Sequence, residues 1–514
     1  MRKRTLITSL LISIPLTGSS MYVALKMGAL PWPAIFCAII AYALLRDEDL
    51  REVNIAEAGG TTGALIGGAV AFTLPAIWFM GESITLTDTL RFSIVLLIAS
   101  LTGIFLSHSM QNRLLDTLPF PEGQATAEML KSIKIKKGFF AALSLAGIFA
   151  ILRDYYLPGG YSTSIFGIAL VLSPLLMGVG GGYIMGKKTS LSWFTGAVLG
   201  WVVLGPVLGL KTSMIQNSGL GILLGSSIGF LASFVLKTRF SKISMALAVT
   251  SFIALTAVGL NPLASLIAVI SAHIFAIVAF RMTGETNVDP LEQFGLVTGI
   301  VIFALFSYVK IDIALTELFI AVLFVSCLAA VCGDIGHDFK AAKILGTDAK
   351  EIVKIELVST IAASVTAPIF LFVIYKAYGA QMFTNILPAP QAQMVARSIF
   401  GYEYPAIFLL SFALAFFAQF LIKDRISLPA LGIGMFLNLN LGLLFLAGGL
   451  WRAVDEIRGE ADISVPSALL AGEGLAGFAS ALLLAIGIKP AYIAAALSVL
   501  FLALLTKSLF PKRC

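Results

Sequence analysis

Two proline-broken elements, one in each half of the chain, carry residues whose types and spacing suit chemistry. Leu118-Pro119-Phe120-Pro121-Glu122-Gly123-Gln124-Ala125 and Leu387-Pro388-Ala389-Pro390-Gln391-Ala392 share an L-P-x-P pattern. Each continues to Q-A, with a two-residue gap between the copies, and then to a short helical stretch ending at Lys131 or Arg397. A proline lacks an N–H and pushes the residue before it out of the α region. Between apolar spans such a break exposes backbone polar groups, which is tolerable only where protein or a water-filled cavity covers them. Residues 118–131 and 387–397 therefore read as re-entrant hairpins or broken helices lining a path. A pair of surface loops with proline stops is the plainer alternative. On the first reading Pro121 and Pro390 set the breaks, and Glu122 presents a carboxylate. Gln124 and Gln391 offer amides to a peptide backbone or a carboxylate.

Ionisable groups within apolar runs form a second set, because a charge at membrane depth is costly and usually functional. Glu57 opens E-A-G-G-T-T-G-A and Glu473 opens E-G-L-A-G-F-A-S, a weaker second repeat. Both are expected to exchange protons, unless Glu57 belongs to a solvated loop beside Arg46 and Arg51. His273, near mid-span, is either a proton relay or a buried, satisfied histidine. Gly59, Gly63 and Gly67 recur every four residues, the small-xxx-small spacing that lets helices approach closely. Between Thr283 and Glu292 the chain is polar: Asp289, Pro290 and Glu292 suit a helix cap, and Asn287 is placed to face a cavity.

Two tempting motifs fail on chemistry. Asp334, His337 and Asp338 are adjacent ligands without a distant partner, so they predict a polar hairpin and no metal site. Gly181 to Lys188 matches the opening of a phosphate loop, but Lys188 stands where Ser or Thr is required. No cofactor is expected.

The elements that position these residues follow from composition. Of 514 residues, 58% are hydrophobic and 12% charged, with a mean hydropathy of +0.96. A soluble protein carries about 25% charge, so the bilayer is the solvent. The long unbroken apolar runs, such as 93–106 and 491–506, fit helices and not the alternating strands of a barrel. Seventeen apolar segments can be drawn. At roughly 20 residues per span, they predict an all-α polytopic membrane protein of about sixteen crossings, with 138–152, the shortest, as the non-crossing piece. Segments 164–186 and 190–210 are read as spans. The chain is expected to be one domain, 1–514, with halves near 1–260 and 261–514.

Basic clusters at Arg2–Arg4, Lys131–Lys137, Lys187-Lys188, Lys237–Lys242, Lys340–Lys354, Lys423–Arg425 and Lys507–Arg513 predict cytoplasmic termini in a cell membrane. That loop bias accounts for the net charge of +7 without any nucleic acid. The basic start and apolar stretch Leu6–Leu16 resemble a signal peptide, but a first membrane helix is preferred. Cys37, Cys327, Cys332 and Cys514 show no pairing pattern and read as reduced.

Taken in order, Tyr22–Pro33, Asn54–Trp78, Leu118–Lys131, Asn287–Gly299, Asp338–Gly346 (DFKAAKILG), Leu387–Gln393 and Pro429–Met435 (PALGIGM) resemble the oligopeptide transporter (OPT) superfamily. The resemblance implies secondary active transport of small peptides or peptide-like metal chelates, driven by protons. It also implies about sixteen helices arisen by duplication. The N-P-G and K-I-P-P-R elements of fungal and plant peptide members are absent, so the chain looks closer to the bacterial and archaeal branch. Expected partners are the cargo, protons and membrane lipid, with a homo-oligomer open. A membrane-embedded enzyme or a channel is the alternative. The absence of D-D-x-x-D and of G-x-G-D weakens the first.

Overall fold

The computed structural model describes residues 2–30, 34–132, 137–165, 168–235, 242–286, 291–401, 403–422 and 425–488. The helices run α1 (Lys3–Met27), α2 (Ala34–Leu44), α3 (Leu50–Thr73), α4 (Pro75–Phe79), α5 (Leu86–Leu114), α6 (Pro121–Ser132) and α7 (Lys137–Tyr156). A two-stranded hairpin, β1 (Tyr161–Ile165) and β2 (Ile168–Leu172), follows. Then come α8 (Leu176–Val198), α9 (Thr212–Val235), α10 (Lys242–Ala257), α11 (Pro262–Thr286), α12 (Leu291–Val309), α13 (Leu315–Leu345) and α14 (Ala349–Tyr378). The remainder is α15 (Pro390–Phe400), α16 (Pro405–Ile422), α17 (Leu428–Phe436), α18 (Leu439–Arg458) and α19 (Ser464–Ala485). Eleven of the described helical segments are long and apolar enough to cross a membrane. The molecule is a polytopic, essentially all-α membrane protein.

Local sequence sets the helix ends. Asp49 accepts the Arg51 N–H to start α3, and Asp348 accepts that of Lys350 to start α14. Gly28 and Gly346 close α1 and α13 in the left-handed conformation. A helix apolar all round belongs in an interior, and α13 is buried without a break from Leu318 to Phe339. At the other extreme α16 turns Leu409, Leu410, Leu414, Phe417 and Leu421 outward, a surface suited to lipid.

The glycine row of α3 lies against α1. A Cβ on Gly63 would sit 2.4 Å from the Ser13 carbonyl oxygen, and one on Gly67 only 2.2 Å from that of Thr17. These contacts are to backbone, so no rotamer relieves them. Gly67→Val should therefore destabilise the protein by about 1–3 kcal/mol. Thermal unfolding in detergent measures this, and an unchanged midpoint would mean that α1 can back away.

The long helices form two inverted sets around an antiparallel centre. α1 runs parallel to α3, matching 9 with 59 and 17 with 67. α3 runs antiparallel to α13, matching Arg51 with Gly346 and Glu57 with Asp338. α13 in turn packs on α11 and α5 as α3 packs on α1 and α14.

Several expectations change. Segment 138–152 is not the weak one: α7 has 20 residues and is of crossing length. Segment 164–186 is not one span. Its first part is antiparallel β1–β2, paired from Tyr161–Leu172 to Ile165–Ile168, where short β-branched runs prefer strand. Its second part is the first arm of α8, which reverses at Gly186 (φ 79°, ψ 170°). Asp334, His337 and Asp338 lie not in a polar hairpin but inside α13. The Glu57 and Glu473 repeat is not reproduced, because the counterpart of α3 by packing is α13, not α19. The expected span 489–507, Cys514 and the C-terminal basic cluster lie outside the described residues.

Candidate functional site

The two L-P-x-P elements adopt the same local structure. In each, the residue between the prolines is left-handed: Phe120 at φ 47° and Ala389 at φ 44°. In each, that residue's N–H donates to a helix carbonyl two residues before the helix ends. Phe120 donates to Gly284 of α11 at 2.8 Å, and Ala389 to Leu25 of α1 at 2.7 Å. A lysine ammonium holds the chain just ahead. Lys340 reaches the Leu115 and Leu118 carbonyls, both at 3.0 Å, and Lys26 reaches that of Ile386 at 2.7 Å. The equivalence is therefore ungapped, which corrects the sequence alignment. Glu122 stands where Gln391 stands, and Gln124 where Gln393 stands.

Their surroundings differ. Pro121, Glu122 and Ala125 line a cavity of about 690 Å³ that also touches Met282 and Gln293, the α8 reversal and the ends of α16 and α18. Pro390 and Gln391 are buried; Pro390 packs on Gly28, and Gln391 Nε2 donates to the Gly28 carbonyl at 2.7 Å. Gln124 is half-buried on α6 beside the cavity lining.

Behind the first element lies a cluster of carboxyl groups from four helices: Glu57 of α3, Glu122 of α6, Asp334 and Asp338 of α13, and Glu356 of α14. Glu57, Asp338 and Glu356 are 1%, 4% and 1% exposed. Glu57 is thus buried in a helix and not in a solvated loop. Asn54 Nδ2 donates to Glu57 at 3.4 Å, the Thr62 hydroxyl donates to Glu356, and the Asp338 carboxyl lies beside that of Glu356. One oxygen each of Glu57, Asp338, Glu356 and Asn54 is buried without a hydrogen-bond donor. The cluster reaches the broken element directly, since the Gly123 N–H donates to His337 Nδ1 at 3.2 Å. Among the described residues no group of three His, Cys, Asp or Glu has a metal-holding arrangement.

Gly123 makes that contact possible. A Cβ there would lie 2.2 Å from the His337 carbonyl oxygen, so Gly123→Ala must push α6 off α13. We expect a loss of activity of at least tenfold with the protein still folded, read from activity against thermal midpoint. Full activity would show that the contact is dispensable.

Glu473 belongs to a different centre. Its carboxylate pairs with Arg153, and both are fully buried. It also accepts the Met177 N–H at 2.7 Å. Arg153 continues to Asp154 at 2.8 Å, which accepts the Tyr22 hydroxyl at 3.0 Å and lies 3.6 Å from Lys26. This network ties α1, α7, α8 and α19 to the approach of the second L-P-x-P element. His273 is buried in α11 with Nδ1 on the Val269 carbonyl at 2.9 Å and Nε2 unpartnered. Asn287, with Asp289 and Pro290, lies outside the described residues.

Some site residues left little trace in sequence. Glu356 is one acidic residue in an apolar run. Lys26, Arg153 and Asp154 read as span ends. Their single signal is a charge flanked by apolar residues, which does not say what it meets.

The profile of the OPT oligopeptide transporter family matches residues 3–258 and 240–484. The chain belongs to the OPT oligopeptide transporter family. No curated protein matches it. Members of the family are transporters, so the chain is a transporter and not an enzyme. The buried carboxyls, the paired broken elements and the cavity are the transporter's candidate machinery.

Proposed function

We infer that this OPT protein is a proton-coupled secondary carrier of small peptides or peptide-like metal chelates, working by alternating access between halves near 1–260 and 261–514. One observation carries the reading. Two conformationally equivalent elements differ in access: Pro121 and Glu122 line a cavity, while Pro390 and Gln391 are packed away. Equivalent parts in inequivalent environments are what one state of a two-state exchange leaves, as in carriers built on inverted repeats. In the opposite state Pro390 and Gln391 would meet cargo, and Pro121, Glu122 and Gln124 would close.

The cavity suits this role. Ligand pockets run roughly 300–1,000 Å³. Its basic rim at Lys187 and Lys188, with the other basic loops, supports cytoplasmic termini in a cell membrane and an inward-open cavity. Glu57, with Asp338 and Glu356, is the coupling centre. Its proton is taken up and given back as the Glu122 element opens and closes. His273 and Glu473 sit at other centres, Glu473 with its charge already matched by Arg153.

The test is uptake by purified protein in liposomes under an inward proton gradient. The cargo offered is a mixed di- to pentapeptide pool with and without iron. Accumulation that a protonophore abolishes supports the reading. Uptake that only equilibrates, with or without the gradient, removes coupling from it.

A further inference from the structure

The α8 hairpin turns a basic tip into the cavity. Gly178 faces Leu444 and Gly182 faces Phe445, and Gly186 lies beside Arg452. The return arm then passes Gly449 at Ser190 and reaches Gly442 at Ala197. The chain thus climbs α18 and descends it again. Gly186 makes the reversal at a positive φ that side chains resist.

The two arm ends at this tip are treated differently. Arg452 caps the first arm, its Nη1 donating to the Tyr183 and Ile184 carbonyls at 3.3 and 3.1 Å. Its Nε bonds Glu456 at 2.7 Å. Arg452 is therefore committed. The second arm, from Lys187 to Val198, starts at the tip with its N-terminal N–H groups, a site that favours anions. Lys187 and Lys188 flank it, exposed and with no ion pair among the described residues. Both line the cavity, as does Thr189. So does Ser467, which is 3% exposed and whose hydroxyl has no partner. Glu122 lines the same cavity with the carboxyl cluster behind it, giving the space a basic and an acidic pole.

Resting on the carrier reading above, we propose that the hairpin tip, through Lys187, Lys188 and the amino end of the second arm, binds the free terminal carboxylate of the cargo. The acidic pole at Glu122 is left for its amino group. Charge-assisted bonds of this kind are roughly twice as strong as neutral ones, so the tip distinguishes a free acid from its amide.

The experiment is retention of two peptide pools by full-length protein in detergent, read by mass spectrometry. Both pools hold the same random tri- to pentapeptides, one as free acids and one C-terminally amidated. The native protein should retain free acids at least tenfold over amides. The double variant Lys187→Gln/Lys188→Gln should lose that preference while holding amides as before, which also reports intact folding. Lys187→Arg/Lys188→Arg should restore it. Equal retention of both pools by the native protein, or a preference that survives in the Gln variant, overturns the subsite alone. Retention of neither pool overturns the peptide reading and the subsite together.

Discussion

Glu57→Gln and Asp338→Asn should each abolish proton-driven accumulation while exchange of labelled for unlabelled cargo continues. The two measurements separate because exchange returns the carrier in the loaded state, whereas net accumulation requires a proton to be bound on one side and released on the other. An inward gradient of one pH unit stores about 1.4 kcal/mol per proton, which is tenfold in an equilibrium ratio. The native protein should therefore concentrate cargo about tenfold per coupled proton, and each variant should stop at unity. Folding should not suffer. Glu57 and Asp338 meet other acids and one amide in a buried interior, and among the described residues neither has a cationic partner. Removing a group whose charged form is expensive to bury costs little. A thermal midpoint at or above the native one is expected for both. Tenfold accumulation retained by Glu57→Gln would take that residue out of the coupling centre.

The second large effect runs the other way. Glu473→Ala should lower stability by about 3–5 kcal/mol, since removing one member of a buried ion pair strands the other. Among the described residues Arg153 would then keep Asp154 and the Pro174 carbonyl at 3.2 Å as hydrogen-bond partners, with the Lys26 ammonium nearby on the same carboxylate. Pairing the change with Arg153→Met should recover much of the loss, because a buried pair replaced by well-packed apolar groups is often neutral. Denaturation of the single and double variants measures the coupling. A Glu473→Gln protein of native stability that has lost only accumulation would return Glu473 to the proton pathway.

Covalent and compositional properties made part of this protein legible before any fold was known. Burial in lipid follows from 12% charge against 58% hydrophobic residues. The broken elements follow from prolines that cannot continue a helix, and a close helix approach on α3 from glycines spaced by four. Those properties belong to each segment alone, so they survive without knowledge of its neighbours. Even there one span was misdrawn, because hydropathy cannot tell a crossing at 164–186 from a strand pair and an arm that reverses at Gly186.

Only the tertiary structure decided what the charges meet. Glu57 and Asp338 are far apart in sequence and come together because α3 and α13 pack antiparallel. Glu473 looked the stronger proton carrier from its apolar flanks, but α7 brings Arg153 against it. The L-P-x-P copies read as alike in sequence, yet one lines a cavity and the other is sealed by Gly28. A charge in an apolar run says that something must compensate it. Which partner does so depends on helix register and direction, and these are fixed by packing across the whole molecule.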